Sequence, residues 1–159
     1  MTPETLLHHA RQGDRPAFGQ LVRLHQDGVF GFLWRMGLRR AVIDELAQET
    51  FLRAWAHLPR YEPARAAFST WLLAIARNLA LNELDRAGHR LEQPAGDREA
   101  DDPPDPAGTP PEVLQHKRRR QQLHAALARL PADQRSVLAL AYLRELPLAE
   151  VARIEGISE

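Results

Sequence analysis

The chain has 159 residues, 44% hydrophobic and 26% charged, a length that fits one domain or two small ones. Its apolar runs are far shorter than the roughly 18 consecutive apolar residues of a membrane span, so we expect no membrane insertion. The absence of cysteine excludes disulfides and thiolate metal sites. The N-terminus has an acid and two histidines where a signal peptide needs a basic start and an apolar core, so we expect a cytoplasmic protein.

The charges are segregated along the chain, although the net charge is zero. Residues 1–90 hold 12 Lys and Arg against 9 Asp and Glu, residues 91–112 hold one against seven, and residues 113–159 hold eight against five. The acidic segment is rich in Pro and Gly and has no apolar periodicity, so it cannot bury enough surface to offset its ordering entropy. The sequence therefore predicts a unit at 1–90, an acidic Pro-rich linker at 91–110 and a second unit at 111–159.

Both units are predicted to be helical, because apolar residues recur at three- and four-residue spacing and no alternating β-branched stretch occurs. Thr2 begins a helix that ends at Gly13, and Asp14 caps a second helix that reaches about Met36. Further helices are predicted at about 42–58, 69–87, 111–129, 132–143 and 147–155, so the fold class is all-α. The apolar faces predicted to form the core of the first unit carry Phe18, Leu21, Val22, Val29, Phe32, Leu33, Ile43, Ala47, Phe51, Ala54, Leu58, Phe68, Leu72, Ile75 and Leu79.

The fourth helix carries a polar stripe beside its apolar face. At about 100° per residue, Trp71, Asn78, Asn82 and Asp85 fall within about 60° of one another. Amides hydrogen-bond base edges and aromatic rings stack on unpaired bases, so the stripe is a candidate base-reading surface. The alternative is that Trp71 packs against the core and the amides are solvated. Three cations near the stripe are candidate phosphate contacts, namely Arg77, Arg86 and Arg90.

The loop before this helix interleaves cations with aromatic residues: Arg60, Tyr61, Arg65 and Phe68. Such a mixture suits a single nucleic-acid strand, where stacking contributes about 1–3 kcal/mol per base. The alternative is a surface loop that its two aromatic residues anchor.

The third helix places acidic side chains around a leucine on the side away from its core face. Glu45, Gln48, Glu49 and Leu52 share this side, and an apolar residue inside a charged rim is typical of a protein interface. The alternative is an ordinary solvated face.

The second unit ends with a short helix, a turn at Gly156 and a potential helix cap at Ser158, a pattern typical of the start of a helix-turn-helix motif. The motif is weakly specific, because any corner between two helices matches it. No zinc-ligand spacing, phosphate-binding loop or nucleophile motif occurs, so we expect no catalytic site, metal or cofactor.

Taken together, the motifs resemble a known family over nearly the whole chain. "DELAQETFLRAW", "FSTWLLAIARNLALNEL", an acidic linker, "ALARLPADQRSVLALAYL" and "LAEVARIEGIS" occur in the order and spacing of extracytoplasmic-function (ECF) bacterial sigma factors of the sigma-70 family. The resemblance implies a sigma region 2 domain, a linker and a region 4 domain. It implies a transcription initiation factor that is not an enzyme and that binds core RNA polymerase, promoter DNA and an anti-sigma factor.

The resemblance also implies roles for individual residues. The third helix would dock on the clamp helices of the polymerase through Asp44, Glu45, Leu46, Gln48, Glu49, Leu52 and Arg53. The loop and the fourth helix would open the −10 element and capture a flipped base of the non-template strand through Arg60, Tyr61, Arg65, Phe68, Ser69, Thr70, Trp71, Arg77, Asn78, Asn82, Arg86 and Arg90. The acidic linker residues Asp97, Glu99, Asp101, Asp102 and Asp105 would lie in the RNA path of the polymerase.

Two features depart from the family pattern. Asp85 stands where the family usually has a basic residue, which argues against direct DNA contact at the end of the fourth helix. The family continues after the turn with a basic helix that enters the major groove at the −35 element, so the sequence predicts a truncated region 4 with −35 recognition lost or impaired. We expect the last helix, with Val151 and Ile154, to be frayed, disordered or covered by a partner chain. Two alternatives stay open: a truncated sigma that competes for polymerase or anti-sigma factor without initiating, and an all-helical adaptor without DNA binding.

Overall fold

The computed structural model describes residues 1–87, 110–143 and 148–157, and within these ranges all regular structure is helical. Seven α-helices follow in chain order: α1 (Pro3–Arg11), α2 (Arg15–Arg35), α3 (Arg40–His57), α4 (Phe68–Ala87), α5 (Pro110–Ala128), α6 (Ala132–Leu138) and α7 (Leu148–Ile157). A 3-10 turn at Leu58–Arg60 follows α3, and a π-helical segment at Ala139–Leu143 continues α6. The predicted all-α fold is confirmed, whereas the linker up to residue 109 lies outside the described residues.

The predicted caps of the first two helices are confirmed. The Thr2 side chain accepts a hydrogen bond from the Thr5 backbone N–H at 3.2 Å, and the Asp14 carboxylate accepts one from Ala17 at 3.1 Å. Each bond satisfies one of the N–H groups that the first turn of a helix leaves without an intrahelical partner. Gly13 has φ +94° between the two helices, where only glycine turns the chain without strain.

The core of the first unit lies among α1 to α4 and matches the faces predicted from the helical spacing. Ten of the predicted core residues are buried: Leu21, Val29, Phe32, Leu33, Ile43, Ala54, Leu58, Phe68, Leu72 and Leu79. The other five are half-buried, namely Phe18, Val22, Ala47, Phe51 and Ile75, and all of these except Val22 pack against the core.

The second unit packs against the C-terminal end of α2. The His124 ring from α5 lies 4.7 Å from the Trp34 ring, and its Nε2 is 3.0 Å from the Trp34 carbonyl oxygen. The buried Arg135 side chain from α6 donates to the Met36 carbonyl. It also donates to three carbonyls at the C-terminal end of α5, those of Leu127, Ala128 and Leu130. One guanidinium therefore joins the ends of two helices that belong to different units.

The last helix packs along α4 of the same chain. Val151 and Ile154 on α7 are 4% and 0% exposed and belong to the same continuous core as the first unit. The expectation that this helix is frayed, disordered or covered by a partner chain is therefore wrong for the described helix, because α4 supplies the apolar surface. Ser158, the potential cap, lies outside the described residues.

Candidate nucleic-acid interface

Helix α4 is packed over most of its circumference, which leaves one stripe uncovered. One side carries the core residues Leu72 and Leu79 and packs within the first unit, where α4 contacts α2 and α3. A side about 100° further round the helix carries Leu73 and Ala80, which are also buried, and α4 additionally contacts α6 and α7 of the second unit. A helix that is apolar nearly all round is expected to be buried nearly all round.

The uncovered stripe carries the side chains that the helical wheel placed together. Trp71 and Asn78 are half-buried, and Asn82 and Asp85 are exposed. The Trp71 ring lies 5.0 Å from the Tyr61 ring, yet part of it remains accessible. Trp71 therefore packs on the neighbouring aromatic ring and keeps accessible surface, and its part in base reading stays a prediction.

The loop between α3 and α4 has its aromatic residues inside and its cations outside. Tyr61 and Phe68 are buried with their rings 5.8 Å apart, whereas Arg60 and Arg65 are exposed. The Tyr61 hydroxyl donates to the Ala66 carbonyl at 2.7 Å and so closes the loop. Burial raises the pKa of Tyr61 above its ordinary value of 10, and the nearby positive charge of Arg11 opposes part of that rise. The loop is thus a rigid platform that carries two cations.

Two residues predicted to contact DNA are covered by α7. The Thr70 hydroxyl donates to the Glu150 carboxylate, and the Arg77 guanidinium forms an ion pair with the Glu155 carboxylate. Arg77 also donates from Nε to the Ser136 hydroxyl at 3.0 Å, and that hydroxyl donates to Glu155 at 3.1 Å. Thr70 and Arg77 are only 2% and 7% exposed. Sequence reasoning placed both among the DNA contacts and gave no role to Glu150, Glu155 or Ser136.

A cleft of about 600 Å³ opens between the loop and α7. Its lining includes Arg60, Tyr61, Arg65 and Trp71 from the first unit and Arg153 from the second. The cations and Trp71 on the first-unit side therefore line one space, and cations combined with aromatic rings are typical of single-strand binding surfaces.

The predicted DNA contacts fall into groups by exposure. Four are exposed, namely Arg60, Arg65, Asn82 and Arg86. Three are half-buried, namely Ser69, Trp71 and Asn78. Four are buried, namely Tyr61, Phe68, Thr70 and Arg77, and Arg90 lies outside the described residues. Their part in DNA binding stays a prediction.

The face of α3 that the sequence assigned to a partner is mostly exposed. The exposed members are Asp44, Glu45, Gln48, Leu52 and Arg53, and Glu49 is half-buried. Leu52 is 56% exposed, and Arg53 donates to Glu49 at 2.9 Å beside it. Leu46 is 8% exposed and lies in the core. Because α2 and α4 both pack on α3, the buried part of the α3 surface is wider than its stripe of apolar residues.

Within 1–87, 110–143 and 148–157, no three His, Asp or Glu side chains form a group that would hold a metal ion. None of the helices over these residues is long and apolar enough to cross a membrane.

Comparisons with known proteins relate the two units to sigma factors. The family model for Sigma-70 region 2 matches residues 21–90, and the model for Sigma-70 region 4 matches residues 120–159. The solved structure of CnrH in complex with the cytosolic domain of CnrY shares the fold of this chain, with a TM-score of 0.69 and 24% sequence identity. The match covers 96% of this chain and 81% of that chain. An engineered region 2 of sigmaE, solved in complex with GTAAAA, is 33% identical with a TM-score of 0.52, over 58% of this chain and 96% of that one.

Curated relatives carry the same family name. The ECF RNA polymerase sigma factor BldN of Streptomyces coelicolor is 30% identical over 97% of this chain and 58% of its own length. SigL of Mycobacterium tuberculosis is 34% identical over 92% of this chain and 83% of its own length, and RpoE of Cereibacter sphaeroides is 30% identical over 91% and 77%. The chain spans only 40–58% of the length of three of the curated relatives it matches, BldN among them. The order of the two matched regions and the identity over most of two relatives show that the chain belongs to the ECF RNA polymerase sigma factors of the sigma-70 family.

Proposed function

We propose that this chain is a transcription initiation factor that binds core RNA polymerase and directs recognition and opening of the −10 promoter element. The observation that carries the proposal is the uncovered stripe of α4, with Trp71, Asn78 and Asn82, beside the exposed Arg60 and Arg65. It lies in the unit that is 33% identical to the engineered region 2 of sigmaE bound to GTAAAA. The family assignment also agrees with the prediction that the chain is not an enzyme.

The physical task at the −10 element is to hold a base outside the duplex. Unstacking a base costs a few kcal/mol, which a stacking surface and hydrogen bonds to the base must offset. The accessible part of Trp71 supplies a stacking surface, and the amides of Asn78 and Asn82 supply hydrogen bonds. Arg60 and Arg65 supply positive charge for the backbone of the displaced strand.

The polymerase contact is proposed for the exposed face of α3. Leu52 projects within a rim of charged and amide side chains, and an apolar contact inside a polar rim is the usual anatomy of a protein interface. The predicted anti-sigma factor stays an expectation from family membership.

The test is run-off transcription with core polymerase on candidate promoters. Promoter-dependent transcripts that require the chain would support the proposal. Polymerase binding without transcripts would identify a competitor instead, and binding to neither polymerase nor promoter DNA would identify an adaptor. Either of the last two results overturns the proposal.

Matched variants locate the polymerase surface. Leu52→Asp places a charge in the proposed interface, and Leu24→Asp makes the same change on α2, where Leu24 is 57% exposed against 56% for Leu52. We expect Leu52→Asp to weaken polymerase binding at least about thirtyfold, which corresponds to the roughly 2 kcal/mol loss of a hot-spot residue, and Leu24→Asp to leave it unchanged. Equal effects of the two substitutions would remove α3 from the interface.

A second pair of variants tests the DNA surface. Asn82→Asp puts a carboxylate on the uncovered stripe, and Gln20→Glu makes the same chemical change at an exposed position of α2. We expect only Asn82→Asp to weaken binding of the holoenzyme to the −10 element, since a carboxylate facing phosphate is repulsive. Equal promoter binding by both variants would exclude the stripe as the DNA surface.

A further inference from the structure

Helix α7 approaches α4 with two carboxylates at the positions of two predicted DNA contacts. Glu150 accepts from the Thr70 hydroxyl, and Glu155 pairs with the Arg77 guanidinium two turns further along α4. Both pairs progress in the same chain direction, so the two helices run alongside each other over this stretch. Between the carboxylates, Val151 and Ile154 are buried.

The Arg77 pair involves more groups than the Thr70 pair. Arg77, Ser136 and Glu155 form a closed ring of polar contacts, in which Arg77 donates to both partners and Ser136 donates to Glu155. The side chain of Arg77 is 8% exposed and that of Glu155 is 24% exposed. Charge-assisted hydrogen bonds are stronger than neutral ones, and removal of one partner leaves the other charge buried and uncompensated.

A carboxylate offers a donor the same chemistry as a phosphate, because both present negatively charged oxygen acceptors. While Glu155 and Glu150 hold Arg77 and Thr70, these donors are turned into the protein and cannot reach a nucleic-acid backbone. The exposed face of α3 with Leu52 lies outside these contacts. The chain in this conformation therefore presents its polymerase surface while part of its DNA surface is covered.

We propose that α7 is an intramolecular latch, in which Glu150 and Glu155 occupy the phosphate-binding donors of α4 and lower the affinity of the free chain for the −10 strand. The inference rests on the proposed function of α4. The apparent dissociation constant equals the intrinsic one divided by the fraction of open molecules, so any change that weakens the latch tightens DNA binding.

The first test measures binding of a −10 non-template single strand to the free full-length chain by fluorescence anisotropy. Glu155→Gln keeps the size of the side chain but removes the charge that pairs with Arg77, and Ser136→Ala removes one bond of the ring. We expect about tenfold tighter binding for Glu155→Gln and about threefold for Ser136→Ala. Glu4→Gln on α1 is the control for the loss of one negative charge. Equal affinities for Glu155→Gln and Glu4→Gln would overturn the latch.

Hydrogen exchange supplies a readout that does not involve DNA. Glu155→Gln should speed amide exchange in α7 and leave the exchange rates of α1 unchanged. If α7 does not depend on Glu155 for its packing, Glu155→Gln and Glu4→Gln should show the same exchange rates in α7. Unchanged exchange in α7 would contradict the proposal.

A cross-link tests closure directly, since the chain has no cysteine of its own. Glu62 and Arg153 line the same cleft from opposite units, so Glu62→Cys with Arg153→Cys can be joined by a reducible bismaleimide. We expect the joined chain to bind the −10 strand at least about tenfold more weakly than after reduction of the linker. Glu62→Cys alone, carrying the same reagent, controls for obstruction of the cleft. Equal binding before and after reduction would overturn the latch.

The two proposals fail in distinguishable ways. Transcription by the wild-type holoenzyme together with no gain in Glu155→Gln removes the latch and leaves the proposed function standing. Absence of DNA binding and of transcription in the wild type, in Glu155→Gln and in the reduced cross-linked variant removes both.

Discussion

Gly37 offers a test of the packing between the two units, because its missing side chain makes room for Arg135. Gly37 has φ +86°, and a Cβ placed on it would lie 3.0 Å from Nη1 of Arg135. The same nitrogen donates to the Met36 carbonyl, and other atoms of the guanidinium bond the end of α5. Gly37→Ala therefore combines backbone strain with a steric clash against Arg135, whose side chain cannot move away without losing hydrogen bonds.

The cost divides into two parts. A non-glycine residue at positive φ costs about 1–2 kcal/mol. Overpacking in a tight site adds about 1–3 kcal/mol, and we expect the lower half of that range because the guanidinium must move only a few tenths of an ångström. Gly37→Ala should therefore lower the free energy of unfolding by about 2–4 kcal/mol. In a chain of this length each kcal/mol lowers Tm by about 2–4 °C.

Gly13 provides the matched control. It has φ +94°, and nothing lies within 4 Å of a Cβ built on it. Gly13→Ala should show the backbone strain alone, about 1–2 kcal/mol. Urea unfolding followed by far-UV circular dichroism gives both values, and a third measurement repeats Gly37→Ala in an Arg135→Ala background. There the excess cost of Gly37→Ala over Gly13→Ala should vanish, since the obstructing group is gone.

Two results would refute this reasoning. Equal costs of Gly37→Ala and Gly13→Ala in the otherwise wild-type chain would mean that Arg135 does not approach Gly37 in solution. An excess that persists after Arg135→Ala would mean that another contact is responsible, and the docking of α6 on the end of α2 would lose its support.

Two further predictions concern the charge on α4 and the buried tyrosine. Asp85 lies at an exposed end of the stripe, and Asp85→Arg should tighten promoter binding by the holoenzyme and steepen the slope of log affinity against log salt concentration by about one. The control substitution Glu4→Arg should change neither the affinity nor the slope. An unchanged slope for Asp85→Arg would show that Asp85 faces away from DNA. Because burial raises the pKa of Tyr61 above 10, the neutral Tyr61 hydroxyl stabilises the folded chain. This stabilisation is complete below pH 10 and is lost as the pH rises through the pKa that Tyr61 has in the folded state. Urea unfolding between pH 8 and pH 11 should therefore show a steeper loss in the wild type than in Tyr61→Phe, and parallel curves would contradict the assignment.

The sequence by itself determined the features that depend on near neighbours along the chain. Helix boundaries follow from caps and turns such as Asp14 and Gly13, whose hydrogen bonds and dihedral angles involve residues three or four positions away. The apolar spacing identified the core faces of α2, α3 and α4, and it separated Asn82 and Asp85 from Leu72 and Leu79 on α4. The order of motifs was sufficient to identify the family.

The tertiary structure alone decided what covers the remaining surfaces. The family resemblance assigned Leu46 to the polymerase surface, but Leu46 lies in the core, because a motif does not say which of its residues a neighbouring helix will cover. The contacts of Arg77 with Ser136, of Thr70 with Glu150 and of Arg135 with Met36 join positions 59, 80 and 99 residues apart. No local pattern encodes such pairs, because they exist only once the second unit has docked. For the same reason α7, expected to lack a packing partner, finds one on α4.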